Sequence, residues 1–499
     1  MKKKALLALL SGAATTLAFA PFNLFACALI TPAILYLLLK NHSVKQACLL
    51  GWLYGLGFFG TGVSWVYVSI HTYGYTHPIV AATLTLLFCA ALAILFLLQA
   101  WLYQKYFSAI RSALSFGVIW LLFEWLRSWL FTGFPWLYLG YSTLDTPLSV
   151  YAVIGGVWLN SALVIVISLS LAMIVVKRST RQLVISVSLI TLIIGTSFVI
   201  PTQWTHSSGA KIDIAIVQPD IAQQTKWQGN QLGNIVERYY QMSKPLIGNN
   251  VIIWPETAIP SFYQNVDGFF APLVTAQQQQ GGSIISGLPM QEPDNNHPDG
   301  RRIHNSILNM TQGSYYHKQR LVPFGEYVPF QAEFRDLFNF LNIPELTFSI
   351  PEVKNQPLLS VGDYHYSTAI CYEIAYPELV RQYSKTADII LTVSNDTWFS
   401  HSIGPDQHFQ IARMRAVENG RWLIRSANNG ITAVVDAQGK VVDIAPRYTQ
   451  AVLKSSVQPL QGLTPYQRLG VWPLLAGYFA FLLWVLVRRK IEITKKAKQ

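Results

Sequence analysis

KIDIAIVQPD, residues 211–220, decides how the chain is read. Ile212, Ile214 and Ile216 recur at every second position until Pro219 ends the run, the periodicity of a strand with one face in a core. Upstream the pattern is different. Apolar runs crowd residues 1–201 and return at 469–487. With 52% hydrophobic and 12% charged residues, the chain is too apolar for an ordinary soluble enzyme.

Runs long enough to cross a bilayer, roughly 20 residues each, lie near 5–20, 23–40, 47–69, 79–103, 113–132, 151–176, 183–201 and 469–487. They predict about eight spans. The first begins MKKK and ends LAFA, like a cleavable leader. Pro21 directly after the small residues disfavours cleavage, so it is read as a helix. The expected organisation is a membrane domain over residues 1–204 with about seven helices, an inserted domain over 211–455, and a closing membrane helix at 469–487.

The net charge of +12 invites a nucleic-acid reading, which its distribution opposes. Residues 211–454 hold 19 Lys and Arg against 22 Asp and Glu, so the excess belongs to the apolar part. There it gathers at Lys2–Lys4, Lys40 and Lys45, Lys105 and Arg111, Lys177–Arg181, and Arg488–Lys498. These are alternate ends of the runs, and basic residues favour the cytoplasmic side. Both termini are therefore expected in the cytoplasm and the inserted domain on the far side of the membrane.

Downstream of residue 211 short β-rich segments are divided by turn residues: NNVIIWPETAIP, GGSIISGLP, HNSILNM, YSTAICYE and ADIILTVSND. Residues 229–247 and 405–420 have helical spacing, QQQQ at 277–280 reads as the polar end of a helix, and ITAVVDAQGKVVDI reads as a hairpin turning at Gln438-Gly439. Strands alternating with helices imply an α/β layered domain.

Three ionisable residues stand at or beyond strand ends: Glu256, Lys318 and Cys371. Cys27, Cys48 and Cys89 fall in apolar runs, so Cys371 is alone in the inserted block, without a disulfide partner there. A thiol needs a base to become a nucleophile. Glu256, partly buried beside Trp254 and Pro255, is suited to that task, and Lys318 would stabilise an oxyanion. Glu326, eight residues on, could hold the lysine. Singly, each residue has an ordinary reading as a core cysteine, a helix-start glutamate or a solvated lysine.

Taken together, FEWLRSWLFTGFPWLYLGYS at 123–142, WPETA, HKQRLVPFGEYVP, CYE and SNDTWF resemble the bacterial apolipoprotein N-acyltransferases, a membrane-embedded branch of the nitrilase superfamily. That resemblance implies a polytopic α-helical membrane domain joined to an αββα sandwich. It makes Glu256 the general base, Lys318 the oxyanion-stabilising residue, Cys371 the nucleophile and Glu326 a supporting acid. Trp227, Tyr372, Glu373 and Trp398 match positions near the family's active site, with Tyr372 and Glu373 shaping the pocket around Cys371. It further implies the bacterial inner membrane, a phospholipid acyl donor such as phosphatidylethanolamine, diacylglyceryl-modified apolipoproteins as acceptors, and no cofactor.

Other readings are weaker. A membrane-tethered amidase or nitrilase would keep the three residues, but a soluble substrate needs one anchor at most. A transporter should carry polar residues along its spans, and Glu124 with Arg127 is the one clear charged pair within them; they can pair, the arginine can snorkel, or the region shapes lipid entry. His401 and His408 could suggest a metal or a Cys-His nucleophile pair, but they lack a third ligand at zinc-like spacing. Arg413, Arg415, Arg421 and Arg425 could meet phosphate head groups, or form a solvated or ion-paired helix face. FTGFPWLYLGY is expected at headgroup depth.

Overall fold

The structure is a computed structural model describing residues 1–109, 112–177, 179–294, 300–327 and 348–497. Arg111, Arg178 and Lys498 of the charge pattern, and Val328-Pro329 of HKQRLVPFGEYVP, lie outside the described residues. Two compact units emerge: Met1–Tyr67 with His77–Thr202 and Arg468–Gln499, and Val68–Thr76 with Gln203–Gln467.

The first unit is helical. Its helices include Lys2–Thr15, Phe25–Leu39, Val44–Gly62, Pro78–Leu102, Ser112–Leu126, Ala152–Lys177, Thr180–Ser197 and Trp472–Ala497. Local signals set their starts: Ser43 and Gln46 form a reciprocal cap on Val44–Gly62, and Pro78 occupies the first turn of its helix. Close packing depends on glycine, since a Cβ on Gly12 would lie 1.9 Å from the Tyr54 carbonyl oxygen and one on Gly57 2.0 Å from that of Leu9.

Eight spans were expected. By length and composition, three helical stretches among the described residues could cross a membrane, Pro78–Phe107, Pro147–Val176 and Thr180–Ser197, or four if Val44–Gly62 and Val66–Tyr73 form one broken span. Phe25–Leu39 and Ser112–Leu126 are apolar but have 15 residues each; at 1.5 Å per residue that is about 22 Å, short of a hydrocarbon core of about 30 Å.

One alternative for this unit is corrected. Arg127 does not snorkel: it is buried, with its guanidinium over the rings of Phe59 and Tyr138. FTGFPWLYLGY is only partly surface-facing, with Phe131 exposed but Trp136, Tyr138 and Tyr141 buried.

The second unit is a four-layer α/β sandwich. Its strands are β1 Ile212–Gln218, β2 Val251–Ile253, β3 Ser283–Pro293, β4 Arg301–Asn309, β5 Tyr315–His317, β6 Leu359–Val361, β7 Tyr364–Ile370, β8 Ile389–Ser394, β9 Leu423–Ala427, β10 Ala433–Val435, β11 Val441–Ile444 and β12 Ala451–Val457. One sheet has the order β12-β1-β2-β3-β4-β5, the other β11-β10-β9-β8-β7-β6. Each has three parallel strands at its centre, β1-β2-β3 and β7-β8-β9, with antiparallel flanks.

Period 2 generates the layers. Ile212, Ile214 and Ile216 join Ile253, Ile285, Ile370, Leu391 and Val393 between the sheets. Ala215 and Val217 face outward, covered by Ile235, Tyr239, Phe270 and Leu273 of helices Leu232–Ser243 and Asp267–Gln279. Helices Pro377–Ser384 and Gly404–Asn419 cover the other sheet through Val380, Phe409, Ala412 and Ala416. GGSIISGLP does not end at its proline: β3 runs through Pro289, which stands opposite Asn305. The Asn305 carbonyl bonds Lys318 N instead, so the ladder needs no N–H from Pro289.

Leu391 is fully buried between the sheets. Leu391→Ala should cost about 2–5 kcal/mol and lower the thermal transition of the full-length protein in detergent. Val442→Ala, at an exposed position, should stay within about 0.5 kcal/mol.

Candidate active site

The turn after β2 presents Glu256. Pro255 ends the strand pattern, and the following backbone lies against β3, with Ala258 N donating to Gly287 O at 2.7 Å. Gly287 permits that approach, since a Cβ there would lie 2.6 Å from the Pro255 carbonyl oxygen. The Glu256 carboxylate is buried and fully engaged. Oε1 accepts from Asn305 Nδ2 at 2.8 Å and Lys318 Nζ at 3.5 Å, and Oε2 accepts from Asn395 N at 2.9 Å. Asn305 and Lys318 come from one sheet; Asn395 follows β8 of the other.

Lys318 follows β5 directly and is 1% exposed. Its Nζ lies 2.7 Å from Glu326 Oε1, and that oxygen also accepts from Asn305 Nδ2 at 2.9 Å. Burial pulls the ammonium down, but Glu326 and then Glu256 outweigh it and hold Lys318 above the ordinary lysine range. It is a fixed cation.

Cys371 directly follows β7, with φ of +52°. A side chain in this left-handed region is strained by about 1–2 kcal/mol, so its surroundings must hold it there. Glu373 Oε2 accepts from Ile370 N at 2.8 Å, and His408 Nε2 donates to the Cys371 carbonyl at 3.0 Å. Burial and then Glu256 push the Cys371 thiol up, with Lys318 opposing. These surroundings favour the thiol over the thiolate at Cys371.

Glu373 is an internal staple instead of a pocket wall. It is fully buried, and Oε1 accepts from Gln319 N, Arg320 N and Tyr316 OH. It thus joins the loop after Lys318 to the Cys371 turn, although burial pushes its carboxyl up to about 7 against those bonds. Tyr372 packs edge-on to Tyr376 at 5.3 Å. Trp227 and Trp398 are half-exposed, outside the hydrogen-bonded cluster. Trp398 accepts a hydrogen bond from Ser69 Oγ at its carbonyl and meets the Tyr73 ring at 5.6 Å.

Sequence reasoning passed over four participants. Asn305 and Asn395 hold the carboxylates but are ordinary polar residues in strand or turn patterns. Lys226 is buried, with Nζ 3.4 Å from the Glu256 carbonyl, and burial pulls it down to about 8 against Glu256. Asp396 forms a buried pair with Arg425 at 2.7 Å; their separation of 29 residues gives no local signal. The arginine run is not a head-group surface: Arg415, Arg421 and Arg425 are buried, pairing with Glu418, backbone carbonyls and Asp396 respectively. His408 bonds the Cys371 carbonyl, so the Cys-His nucleophile pair is replaced by a backbone contact. No metal-binding cluster occurs among the described residues.

Because only thiolate alkylates rapidly, reaction of resting Cys371 with iodoacetamide should keep rising beyond about pH 8.5, the ordinary thiol pKa. Mass-spectrometric rates across pH 6–10 check this; levelling off near or below the ordinary value contradicts it.

Residues 11–170 match the apolipoprotein N-acyltransferase N-terminal domain family, and residues 213–465 match the carbon-nitrogen hydrolase family. The apolipoprotein N-acyltransferase of Pseudomonas aeruginosa strain LESB58 is 41% identical over 500 residues, covering 98% of this chain and 96% of that protein. The protein of that name from Vibrio parahaemolyticus serotype O3:K6 is 40% identical over 508 residues, covering 98% of each. Among solved structures, Saccharomyces cerevisiae Nit3, a nitrilase-superfamily member, matches 52% of this chain and 92% of its own at 20% identity and a TM-score of 0.35. Identity of this order over nearly its full length shows that the chain belongs to the apolipoprotein N-acyltransferase family.

Proposed function

We propose that this family member moves an acyl chain from a phospholipid, through a thioester on Cys371, to the α-amino group of the N-terminal diacylglyceryl-cysteine of a lipoprotein. The observation that carries the reading is the buried Glu256 carboxylate, bound to Lys318 and electrostatically coupled to Cys371.

In the first half-reaction Glu256 takes the thiol proton as Sγ attacks the donor's ester carbonyl carbon. The carbonyl electron pair moves onto oxygen, where the Lys318 ammonium stabilises it. Collapse expels the glycerol oxygen, which takes the proton from Glu256, leaving a lysophospholipid and acyl-Cys371. In the second half-reaction the α-amino group attacks the thioester and loses its proton to Glu256. The sulfur leaves and regains that proton, giving an amide and a free thiol. An α-amino group with pKa near 8 is substantially available as free amine at neutral pH. No cofactor is required, since the ester already carries an activated acyl group.

Glu326 supports Lys318 through their 2.7 Å contact, and Glu373 positions the two catalytic loops through its backbone bonds. Trp227, Trp398 and Tyr372 offer aromatic surface beside the cluster for a lipid chain. The preferred donor is phosphatidylethanolamine. We place residues 1–204 and 469–487 in the bacterial inner membrane as eight passes, with both termini cytoplasmic and residues 211–455 in the periplasm. The alternating basic ends support this topology, as do helical extensions such as Thr16–Ala18 beyond Lys2–Thr15. The hydrolase alternative is not favoured: the family match spans the chain, and hydrolysis of a soluble amide has no use for so large an apolar unit.

Purified protein given phospholipid with a labelled acyl chain, without acceptor, should gain hydroxylamine-sensitive label on Cys371. Normal lipoprotein modification by Cys371→Ala would exclude the mechanism, and labelled free acid as the main product with acceptor present would favour hydrolysis. Glu256→Gln should slow thioester formation by about 10²–10⁴-fold, with little change in donor KM.

A further inference from the structure

His408 is one of the most enclosed ionisable residues in the sandwich unit, fully buried on helix Gly404–Asn419. Its Nε2 lies 3.0 Å from the Cys371 carbonyl oxygen. A carbonyl can only accept, so Nε2 carries a proton whatever the state of Nδ1. Arg425 Nη2 lies 3.0 Å from Nδ1, while Asp396 Oδ1 is 3.1 Å from it. Burial and then Arg425 hold the imidazole below its ordinary range, with Asp396 opposing; in the neutral ring Nδ1 accepts from Arg425.

The ring is locked from behind. Arg425 Nη2 bonds both Asp396 carboxylate oxygens at 3.0 and 2.7 Å, and Arg425 Nε donates to Ile431 O at 3.1 Å. Ser394 Oγ adds a 2.7 Å bond to Asp396 Oδ1. The loop after β9 crosses so close that a Cβ on Gly430 would lie 2.5 Å from Asp396 Oδ2. The preceding residue, Asn395, gives its backbone N–H to Glu256 Oε2. One short stretch after β8 therefore holds the base directly and reaches the nucleophile's backbone through His408.

We propose that His408 is a positioning residue: its Nε2–H, oriented by the Asp396–Arg425 pair, clamps the Cys371 carbonyl and keeps the nucleophile in its left-handed backbone conformation within the Glu256–Lys318 cluster. The contact is to the carbonyl, so His408 neither takes nor gives the reacting proton. The clamp rests on Cys371 being the nucleophile.

The test compares His408→Gln, whose amide N–H can still reach the carbonyl, with His408→Met, which has similar length and no donor, in the full-length protein in detergent. His408→Met should lower kcat for acyl-Cys formation by about 10²-fold, the scale expected for small misplacement of a reacting group, with donor KM unchanged. His408→Gln should recover a large part of the loss. Parental turnover in His408→Met, a loss carried by KM, or no recovery in His408→Gln overturns the clamp. If His408→Met does not fold, 15N-labelled histidine in the unaltered protein decides, with Nε2 protonated expected and Nε2 bare overturning the proposal. Cys371→Ala separates the two readings: surviving turnover there removes the nucleophile itself, whereas abolished turnover there with an unaffected His408→Met removes only the clamp.

Discussion

The catalytic half of the chain is organised around one buried carboxylate. Glu256 accepts hydrogen bonds from Asn305 and Lys318 of one sheet and from the backbone N–H of Asn395 after a strand of the other. A buried carboxylate left without partners would be strongly destabilising, so closing the sandwich in its proper register and completing the site are one event. Glu373 does the same beside Cys371, fastening the loop after Lys318 to the Cys371 turn through backbone N–H groups. The chemistry is thus held by backbone and strand ends, the least adjustable parts of the fold.

Much of this arrangement was legible in the sequence because it is local. Alternation at Ile212, Ile214 and Ile216 marks a strand, and Glu256, Lys318 and Cys371 sit where strand patterns stop. The hairpin at 433–444 was legible for the same reason: Gly439 has φ of +80°, and Asp436 Oδ1 accepts from Gln438 N and Lys440 N. The network behind Cys371 was not legible, because Asp396, His408 and Arg425 meet only after three separate elements pack. Arg415, Arg421 and Arg425 read as a surface stripe because composition does not reveal a buried carboxylate or carbonyl waiting for each guanidinium. A strand pattern also cannot show that Pro289 stands at a position where no N–H is needed.

The helical unit exposes a different limit. Hydropathy finds apolar runs well but measures them without their bends, so the run at 113–132 appears continuous although its helix ends at Leu126. Beyond that point the chain turns inward: Leu139 N donates to Glu124 Oε1 at 3.0 Å, and Trp120 Nε1 donates to the same oxygen at 3.1 Å. Glu124 therefore ties its helix to the start of the short 3-10 helix Leu139–Thr143 by accepting the Leu139 N–H. The buried Glu124 carboxyl has a structural role in folding the aromatic segment back, which removes much of the case for a polar transport path.

The state of the resting thiol links the buried site to its economy of reaction. An exposed, acidic cysteine would be a permanent thiolate, open to oxidation and to any passing electrophile. Burial and then the charge of Glu256 push the Cys371 thiol up, and in the proposed mechanism the same Glu256 takes its proton, which would couple the two groups through one proton. When Glu256 receives that proton its charge disappears, and with it the repulsion that opposed the growing thiolate. Lys318, held by Glu326 and kept above the ordinary lysine range, is the cation that the proposed mechanism uses for the charge passing to the substrate oxygen. The two carboxylates differ in their partners: Glu326 lies 2.7 Å from the Lys318 ammonium, while Glu256 meets it at 3.5 Å and takes its shorter bonds from the Asn305 amide and the Asn395 N–H.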